Sequence, residues 1–95
     1  MNLPVRFKAS GARDVERAFA WYETQRTGLG AQFREELNTT LDIIAANPES
    51  SPVVRIRIRR AVLRRFPYLV FYLVEGQQIV VLACLHASRD PHRWP

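Results

Sequence analysis

The chain has 95 residues, of which 47% are hydrophobic and 24% charged, the composition of an ordinary globular protein with one small core. We expect a single domain over residues 1–95. No apolar run is long enough to span a bilayer, and residues 1–8 lack the apolar segment of a signal peptide. These totals argue against a transmembrane protein and a membrane partner, and they predict a cytoplasmic location.

The net charge of +5 is divided unevenly between the two halves of the chain. Residues 1–50 carry six Lys or Arg and seven Asp or Glu, which gives −1, whereas residues 51–95 carry eight Arg against Glu75 and Asp90, which gives +6. Every cationic residue except Lys8 is Arg, whose guanidinium makes forked contacts with carboxylate or phosphate. The basic half suits an acidic protein partner or a nucleic acid, with a merely solvated face as the alternative for any single Arg.

The chain begins with an expected strand that leads into a helix. Apolar residues alternate with others over residues 3–8, as in a strand with one buried face. Ser10 or Gly11 is the expected N-cap of the helix that follows, and Asp14 and Glu16 fall in its first turn, where the helix dipole favours acidic groups.

Two helices are predicted to fold back on each other over residues 10–47. Glycines at positions 28 and 30 break the first helix, and Pro48 ends the second, because proline cannot continue a helix. Apolar residues recur at helical spacing in both: Val15, Ala18, Phe19 and Tyr22, then Phe33, Leu37, Leu41 and Ile44.

The residue pattern of the second half of the chain predicts a sheet. Over residues 54–59 aliphatic residues alternate with arginines, which would put the arginines on one face. A further strand is expected around residues 61–66, and the apolar runs 64–74 and 79–86 predict a central hairpin covered on both faces. The order is β-α-α-β-β-β, and the predicted fold class is α+β, with a helical hairpin packed on a small antiparallel sheet.

Most catalytic and ligand-binding motifs are absent from the sequence. A metal site needs more ligands than His86 and His92 with Asp90 between them, and the glycines are explained by turns and caps, so we expect no metal and no cofactor. Ser88 lies too close in sequence to His86 for a hydrolytic triad, and Cys84 is expected to be a small core residue. Metal-free RNA cleavage stays open, because it needs only a base, an acid and cations on the phosphate.

Four blocks in this order resemble the RelE/ParE superfamily of type II toxin–antitoxin modules, and in particular ParE toxins, sometimes labelled plasmid stabilisation proteins. The blocks are Ala18-Phe19-Ala20-Trp21-Tyr22, Gly28-Leu29-Gly30 with Phe33 and Leu37, Arg65-Phe66-Pro67-Tyr68 with Tyr72, and His86-Ala87-Ser88-Arg89-Asp90-Pro91 with Trp94. The resemblance implies a helical hairpin on an antiparallel sheet, and an antitoxin of ParD type that covers apolar and basic surface.

The resemblance also implies one of two activities. ParE-type members inhibit DNA gyrase, whereas RelE-type members cut mRNA on the ribosome. Where RelE-like sequences carry a catalytic Arg after the strand tyrosine, this chain has Leu69. Near the end of the chain, where those sequences have a tyrosine that serves as the acid, this chain has Trp94, whose indole N–H is not a useful acid. Both departures favour the gyrase inhibitor, which needs no catalytic residue of its own.

Two sets of residues follow from these two activities. For a gyrase inhibitor held by an antitoxin, the predicted contacts with antitoxin or target are Arg64, Arg65, Arg89, Arg93 and Trp94. For the alternative, a ribosome-dependent mRNA endonuclease, the predicted catalytic candidates are Arg57, Arg59, Arg65, His86 and His92. A third hypothesis is an inactive member that keeps only antitoxin binding.

Overall fold

The computed structural model describes residues 2–95 as two helices on one face of a five-stranded sheet. The elements are β1 (Val5–Phe7), α1 (Ala9–Gln25), α2 (Leu29–Ala46), β2 (Val53–Arg55), β3 (Ile58–Val62), β4 (Tyr68–Glu75), β5 (Gln78–His86) and a 3-10 helix (Pro91–Arg93). This confirms the predicted α+β class and the helical hairpin, although four strands follow the helices where the predicted order has three.

The strands lie in the order β1-β5-β4-β3-β2, which puts the long hairpin of β4 and β5 at the centre. Strands β2 to β5 pair antiparallel as predicted, whereas β1 pairs parallel with β5, with Val5 opposite Ile79. The apolar alternation of β1 indicates a strand but contains no information about its partner, because that partner lies more than 70 residues away along the chain.

Both predicted helical stripes are buried against the sheet, except for Phe19, which is half-buried. Glu23 fixes the turn between the helices, because its Oε2 accepts hydrogen bonds from the N–H groups of Gly28 (2.7 Å) and Gly30 (3.0 Å) at the start of α2. Gly30 also allows the helices to cross closely, since a Cβ there would lie 2.7 Å from the carbonyl oxygen of Phe19.

A bulge in β5 is where α1 contacts the sheet most closely. The register of β4 with β5 shifts by one residue between Phe71 and Tyr72, which leaves Leu82 as the extra residue. Ser10 Oγ donates to the Leu82 carbonyl oxygen (2.9 Å), and Asp14 Oδ2 accepts from the Cys84 N–H (3.0 Å). The two side chains thereby satisfy backbone groups of β5 that lie beyond the end of its pairing with β1, which stops at Val81.

These contacts correct the predicted helix start. Helix α1 begins at Ala9, with Lys8 at the N-cap position and no side-chain cap, so neither Ser10 nor Gly11 is the N-cap. Asp14 and Glu16 both lie beyond the first turn, and the Asp14 carboxylate binds the sheet and not the helix N-terminus. The reason is tertiary, since the bulge provides hydrogen-bonding partners that no local sequence pattern announces.

The central strands are buried on both faces, as predicted. On the helix side, the core includes Tyr72, fully buried, whose hydroxyl donates to the Pro48 carbonyl oxygen (2.8 Å). On the other face a smaller cluster contains Leu69, Phe71, Ala83 and Leu85, with Trp94 packed against it.

The prediction that the arginines of residues 54–59 share one face of a strand is wrong. The chain turns back tightly between β2 and β3, where Ile56 has a φ of 50° and is 85% exposed. Strand β3 also begins and ends earlier than predicted, at Ile58 and Val62, and not around residues 61–66. A two-residue turn inside an alternating segment restarts the alternation, so the sequence pattern alone concealed it.

Replacing Gly11 by Ala tests the contact between α1 and the bulge. An added Cβ would lie 2.8 Å from the Val81 carbonyl oxygen, so backbone must move, and we expect G11A to lose about 1–3 kcal/mol of unfolding free energy. Urea unfolding measures this loss, and Ala20→Ser on the exposed side of the same helix is the control. A G11A protein as stable as wild type would contradict the close approach.

Candidate functional site

The loop between β3 and β4 presents two arginines on a buried base. Leu63 and Phe66 are buried, whereas Arg64 and Arg65 between them are exposed. The Leu63 N–H donates to the Tyr68 carbonyl oxygen (3.0 Å), which closes the loop. Because its apolar residues anchor the loop in the core, the two arginines are held at one end of the sheet.

Glu36 of α2 fixes this loop from the helix side. Its Oε2 accepts from the Arg65 N–H (2.8 Å) and its Oε1 from Arg65 Nε (3.1 Å), while only 11% of its side chain is exposed. Desolvation by itself would raise the pKa of Glu36, but the hydrogen bonds from Arg65 and from the Arg64 N–H outweigh it and lower the pKa. The ionised carboxylate is therefore the form that holds the loop.

The C-terminal segment joins the same end of the sheet. The Ala87 N–H donates to the Pro67 carbonyl oxygen (2.7 Å), and the Arg89 N–H to the His86 carbonyl oxygen (2.9 Å). Asp90 Oδ1 then accepts from the His92 N–H (3.0 Å) and caps the short 3-10 helix, a turn of helix where the sequence predicted only an extension. These bonds tie the start of the tail, with the exposed Arg89, to the β3–β4 loop.

Trp94 lies on the face of the sheet opposite the helices. Its ring centroid is 5.1 Å from that of Phe71, and the Arg60 guanidinium carbon is 5.6 Å from the Trp94 ring centroid. Trp94 Nε1 and Arg60 Nε are buried and have no hydrogen-bond partner within residues 2–95. The structure places this predicted anchor on the chain's own sheet, and its role towards a partner stays a prediction.

The structure does not gather the predicted nuclease residues into one site. Arg57 Nη2 donates to the Val74 carbonyl oxygen (2.9 Å), and Arg59 Nη1 to the carbonyl oxygens of Glu49 (3.2 Å) and Ser51 (2.7 Å). Arg59 pairs with Tyr72 and His86 with Tyr68. Their positions therefore lie four residues apart along β4, about 13 Å at about 3.3 Å per residue.

The other members of that set have local partners. Arg65 is held by Glu36, His86 Nδ1 lies 2.8 Å from Ser88 Oγ, and His92 Nδ1 lies 3.1 Å from Asp90 Oδ1. The set therefore divides between the two ends of the sheet, and its catalytic role stays a prediction.

Sequence reasoning missed two residues that shape the basic end. Glu36 follows Glu35 in an ordinary acidic pair, and nothing local distinguishes it as the partner of Arg65. The sequence could have placed Arg60 on the face opposite to Arg59, because the two residues are adjacent and successive residues of a strand point to opposite faces. Arg59 thus binds the loop before β2, while Arg60 reaches Trp94 on the other face.

Other kinds of site receive no support from the described part of the chain. Between Asn2 and Pro95, no three His, Cys, Asp or Glu side chains gather as metal ligands would. Neither helix has the length and apolarity required to cross a membrane. Cys84 is buried, which together with the nearby Asp14 carboxylate raises the pKa of its thiol to about 12.

Taken together, these features define the class as a small two-layer α+β domain with a basic end. The family model described as the ParE toxin of the type II toxin–antitoxin system, parDE, matches residues 5–91. The chain therefore belongs to the ParE toxin family, which confirms the resemblance seen in the sequence.

Solved structures share this fold at low sequence identity. One, from the chromosomal ParDE toxin–antitoxin system of P. aeruginosa, is 16% identical with a TM-score of 0.79, and the match covers 90% of this chain and 97% of that one. The isolated E. coli RelE toxin is 18% identical with a TM-score of 0.70, and the match covers 95% of this chain and 89% of that one. The comparison with curated proteins found no match.

Replacing Glu36 by Gln tests how the arginine loop is held. Because the folded pKa of Glu36 is lowered, its ionised form stabilises the fold at neutral pH, and this contribution is lost as the pH falls below the ordinary value of 4.5. We expect E36Q to lose about 1–2 kcal/mol of unfolding free energy at neutral pH and to respond less to acid. Urea unfolding at neutral pH and at a pH below 4.5 measures the unfolding free energy of each variant. Glu35→Gln, at an exposed position, is the control. Equal acid sensitivity in E36Q and wild type would contradict the assignment.

The burial of the Cys84 thiol leads to a separate prediction. Because burial raises the pKa of Cys84 to about 12, the folded protein should react very slowly with a disulfide reagent at about pH 8, and rapidly once unfolded. The raised pKa also means that stability falls as the pH rises from 9 towards 12. The control is Ser88→Cys in a Cys84→Ser background, which places a thiol on the surface. Native Cys84 reacting as fast as that control would contradict the burial.

Proposed function

We propose that this chain is a ParE-type toxin that inhibits DNA gyrase by direct protein–protein binding. Membership of the ParE toxin family supports the toxin role, and the separation of the candidate catalytic residues along the sheet supports binding over chemistry. A ParD-like antitoxin neutralises the toxin in a hetero-oligomeric complex, as the parDE description of the family and of the P. aeruginosa system suggests.

The observation that carries this proposal is a set of exposed arginines that form no ion pair within the described residues and whose backbone is held by hydrogen bonds. Arg64, Arg89 and Arg93 are exposed, and none of them forms an ion pair within the described residues 2–95. Their guanidinium groups offer paired donors suited to carboxylates on a protein target. Because Glu36 and the Ala87–Pro67 hydrogen bond fix their supporting backbone, little ordering is needed when a partner binds.

The same charges explain why an antitoxin is an expected partner. Residues 51–95 carry a net charge of +6, and a basic surface of this kind attracts acidic segments over several ångströms. An antitoxin that covers Arg64, Arg65 and the tail removes the surface that the target would contact. Neutralisation is then competition for one surface.

The alternative is a RelE-like ribosome-dependent mRNA endonuclease. The likeness of the fold to the RelE toxin keeps it as the second candidate. The separation of Arg57 and Arg59 from His86, and the burial of Leu69 where that branch places an arginine, weigh against it.

Plasmid topology after brief expression without antitoxin tests the primary proposal. We expect loss of negative supercoiling or trapped gyrase–DNA breaks, with the same effect on purified gyrase. Arrested growth with normal topology would overturn the gyrase target, and primer extension on cellular mRNA would then test the endonuclease. Harmless expression would indicate an inactive member that only binds antitoxin.

Alanine variants then separate a binding surface from a catalytic site. We expect R64A, R89A and R93A each to weaken gyrase inhibition by about 5–30-fold, equivalent to about 1–2 kcal/mol. Arg17→Ala, an exposed arginine of α1, is the matched control and should be neutral. Losses of several orders of magnitude in R65A and H86A, with R89A and R93A unaffected, would instead favour catalysis.

A further inference from the structure

The turn between β2 and β3 holds one residue in an unfavourable backbone conformation. Arg55 pairs with Ile58, so Ile56 and Arg57 form a two-residue turn. Ile56 has a φ of 50°, and it is the only residue other than glycine with a positive φ in the part of the chain that the structure describes. Turns with a positive φ at this position are dominated by Gly, Asn and Asp, and a β-branched side chain there is strained.

The packing of the chain does not compensate for this strain. The Ile56 side chain is 85% exposed, the highest value among the large hydrophobic residues that the structure describes. Neither burial nor turn geometry therefore explains an isoleucine at this position. Strained backbone that its surroundings do not repay is typical of a functional contact, so we infer a role for Ile56 outside the chain itself.

A groove of about 540 Å³ lies beside this turn. Ile56, Val53 and Val74 line it, and the Val53 side chain is also exposed. Arg57 lines the groove as well, and its Nη2 donates to the Val74 carbonyl oxygen (2.9 Å), which ties the turn to β4. Exposed aliphatic side chains grouped at a groove indicate a contact with another protein.

Arginines surround the exposed isoleucine. Arg55 and Arg57 flank Ile56, both are exposed, and neither forms an ion pair within the described part of the chain. The groove itself is lined by Arg57 and Arg59 against one carboxylate, that of Glu49. This charge attracts an acidic partner and disfavours a second copy of the same turn. The aliphatic side chain favours a protein over a nucleic acid, whose phosphates would contact the arginines alone.

The turn and the β3–β4 loop lie at opposite ends of β3. The strand has five residues, Ile58–Val62, and is about 13 Å long at about 3.3 Å per residue. Ile56 and Arg64 lie beyond its two ends, so an antitoxin that covers the loop and the tail leaves the turn exposed. A stable interface buries about 800 Å² on each partner, an area that extends beyond one loop.

We propose that the β2–β3 turn is a second contact with DNA gyrase, in which Ile56 enters an apolar pocket of the target and Arg55 and Arg57 face carboxylates around it. The inference rests on the proposed function, since it adds a contact with the same target. Trp94, the anchor expected from the sequence, packs against the chain's own sheet. A few buried anchors carry most of the binding energy of an interface, and Ile56 is exposed and able to supply one.

Replacing Ile56 by Asn tests the turn, because it relieves the strain and removes the apolar side chain together. Asn accepts a positive φ, so we expect I56N to unfold at a higher urea concentration than wild type. We expect the same variant to require at least about tenfold more protein for half-inhibition of purified gyrase. The matched control is Ile43→Asn, at a position of α2 that is 59% exposed. I43N should gain no stability and should inhibit gyrase like wild type.

Two further variants separate the apolar contact from the charges. Ile56→Leu keeps an apolar side chain of the same size, and we expect it to inhibit gyrase within about twofold of wild type. Arg55→Glu reverses a charge beside the anchor and should weaken inhibition about tenfold, with a larger loss at low salt. Arg17→Glu, an exposed position of α1, has the same net charge as R55E and should inhibit like wild type.

The proposal is overturned if I56N inhibits gyrase as strongly as wild type, or if I56L is as weak as I56N. If I56N inhibits gyrase normally but is no longer neutralised by the antitoxin, the turn is an antitoxin contact, which also overturns the proposal. An I56N protein no more stable than wild type would contradict the strain from which the inference starts.

Failure of the turn is distinguishable from failure of the proposed function. Equal inhibition of gyrase by wild type and I56N rejects the turn alone. Growth arrest by wild type with normal plasmid topology rejects the gyrase target, and a loss of toxicity confined to I56N then assigns the turn to a different target. Equal toxicity of I56N and I43N in that case rejects the turn as well, and harmless expression of wild type overturns both proposals.

Discussion

The contact between α1 and the bulge at Leu82 is the constraint on which the rest of the structure depends. The pairing of β5 with β1 stops at Val81, and Ser10 and Asp14 satisfy the backbone groups of Leu82 and Cys84 from the helix. Gly11 lets the helix come that close, because any side chain there would meet the Val81 carbonyl. This contact sets where α1 lies on the sheet, α2 follows through the tight turn at Gly28, and the whole hairpin is thereby placed.

The position of α2 in turn determines the basic end. Glu36 meets the Arg65 backbone only because α2 passes beside the β3–β4 loop. Its carboxylate is occupied by that loop, and the Arg64 guanidinium forms no ion pair within residues 2–95. A well-shielded acidic group therefore holds the loop, while the side chains of Arg64 and Arg65 are exposed at the surface. This arrangement fits rigid presentation to a protein better than convergence on a substrate atom.

Arg64 belongs to two surfaces, since it lies in the β3–β4 loop and also lines the groove between β3 and α2. The tail contributes separately, since Trp94 and Arg60 cover the opposite face of the sheet.

The sequence by itself determined the two helices, the central hairpin and the family. Apolar periodicity located both helices and the central hairpin, because side chains at periods of 3.6 and 2 must share a buried face. The surplus of arginine in the second half also predicted a basic surface. Only the tertiary structure decided the parallel pairing of β1, the turn at Ile56 and the partnership of Glu36 with Arg65. Each of these joins residues distant in sequence, or interrupts a periodic pattern, so its energy depends on contacts that no local pattern encodes.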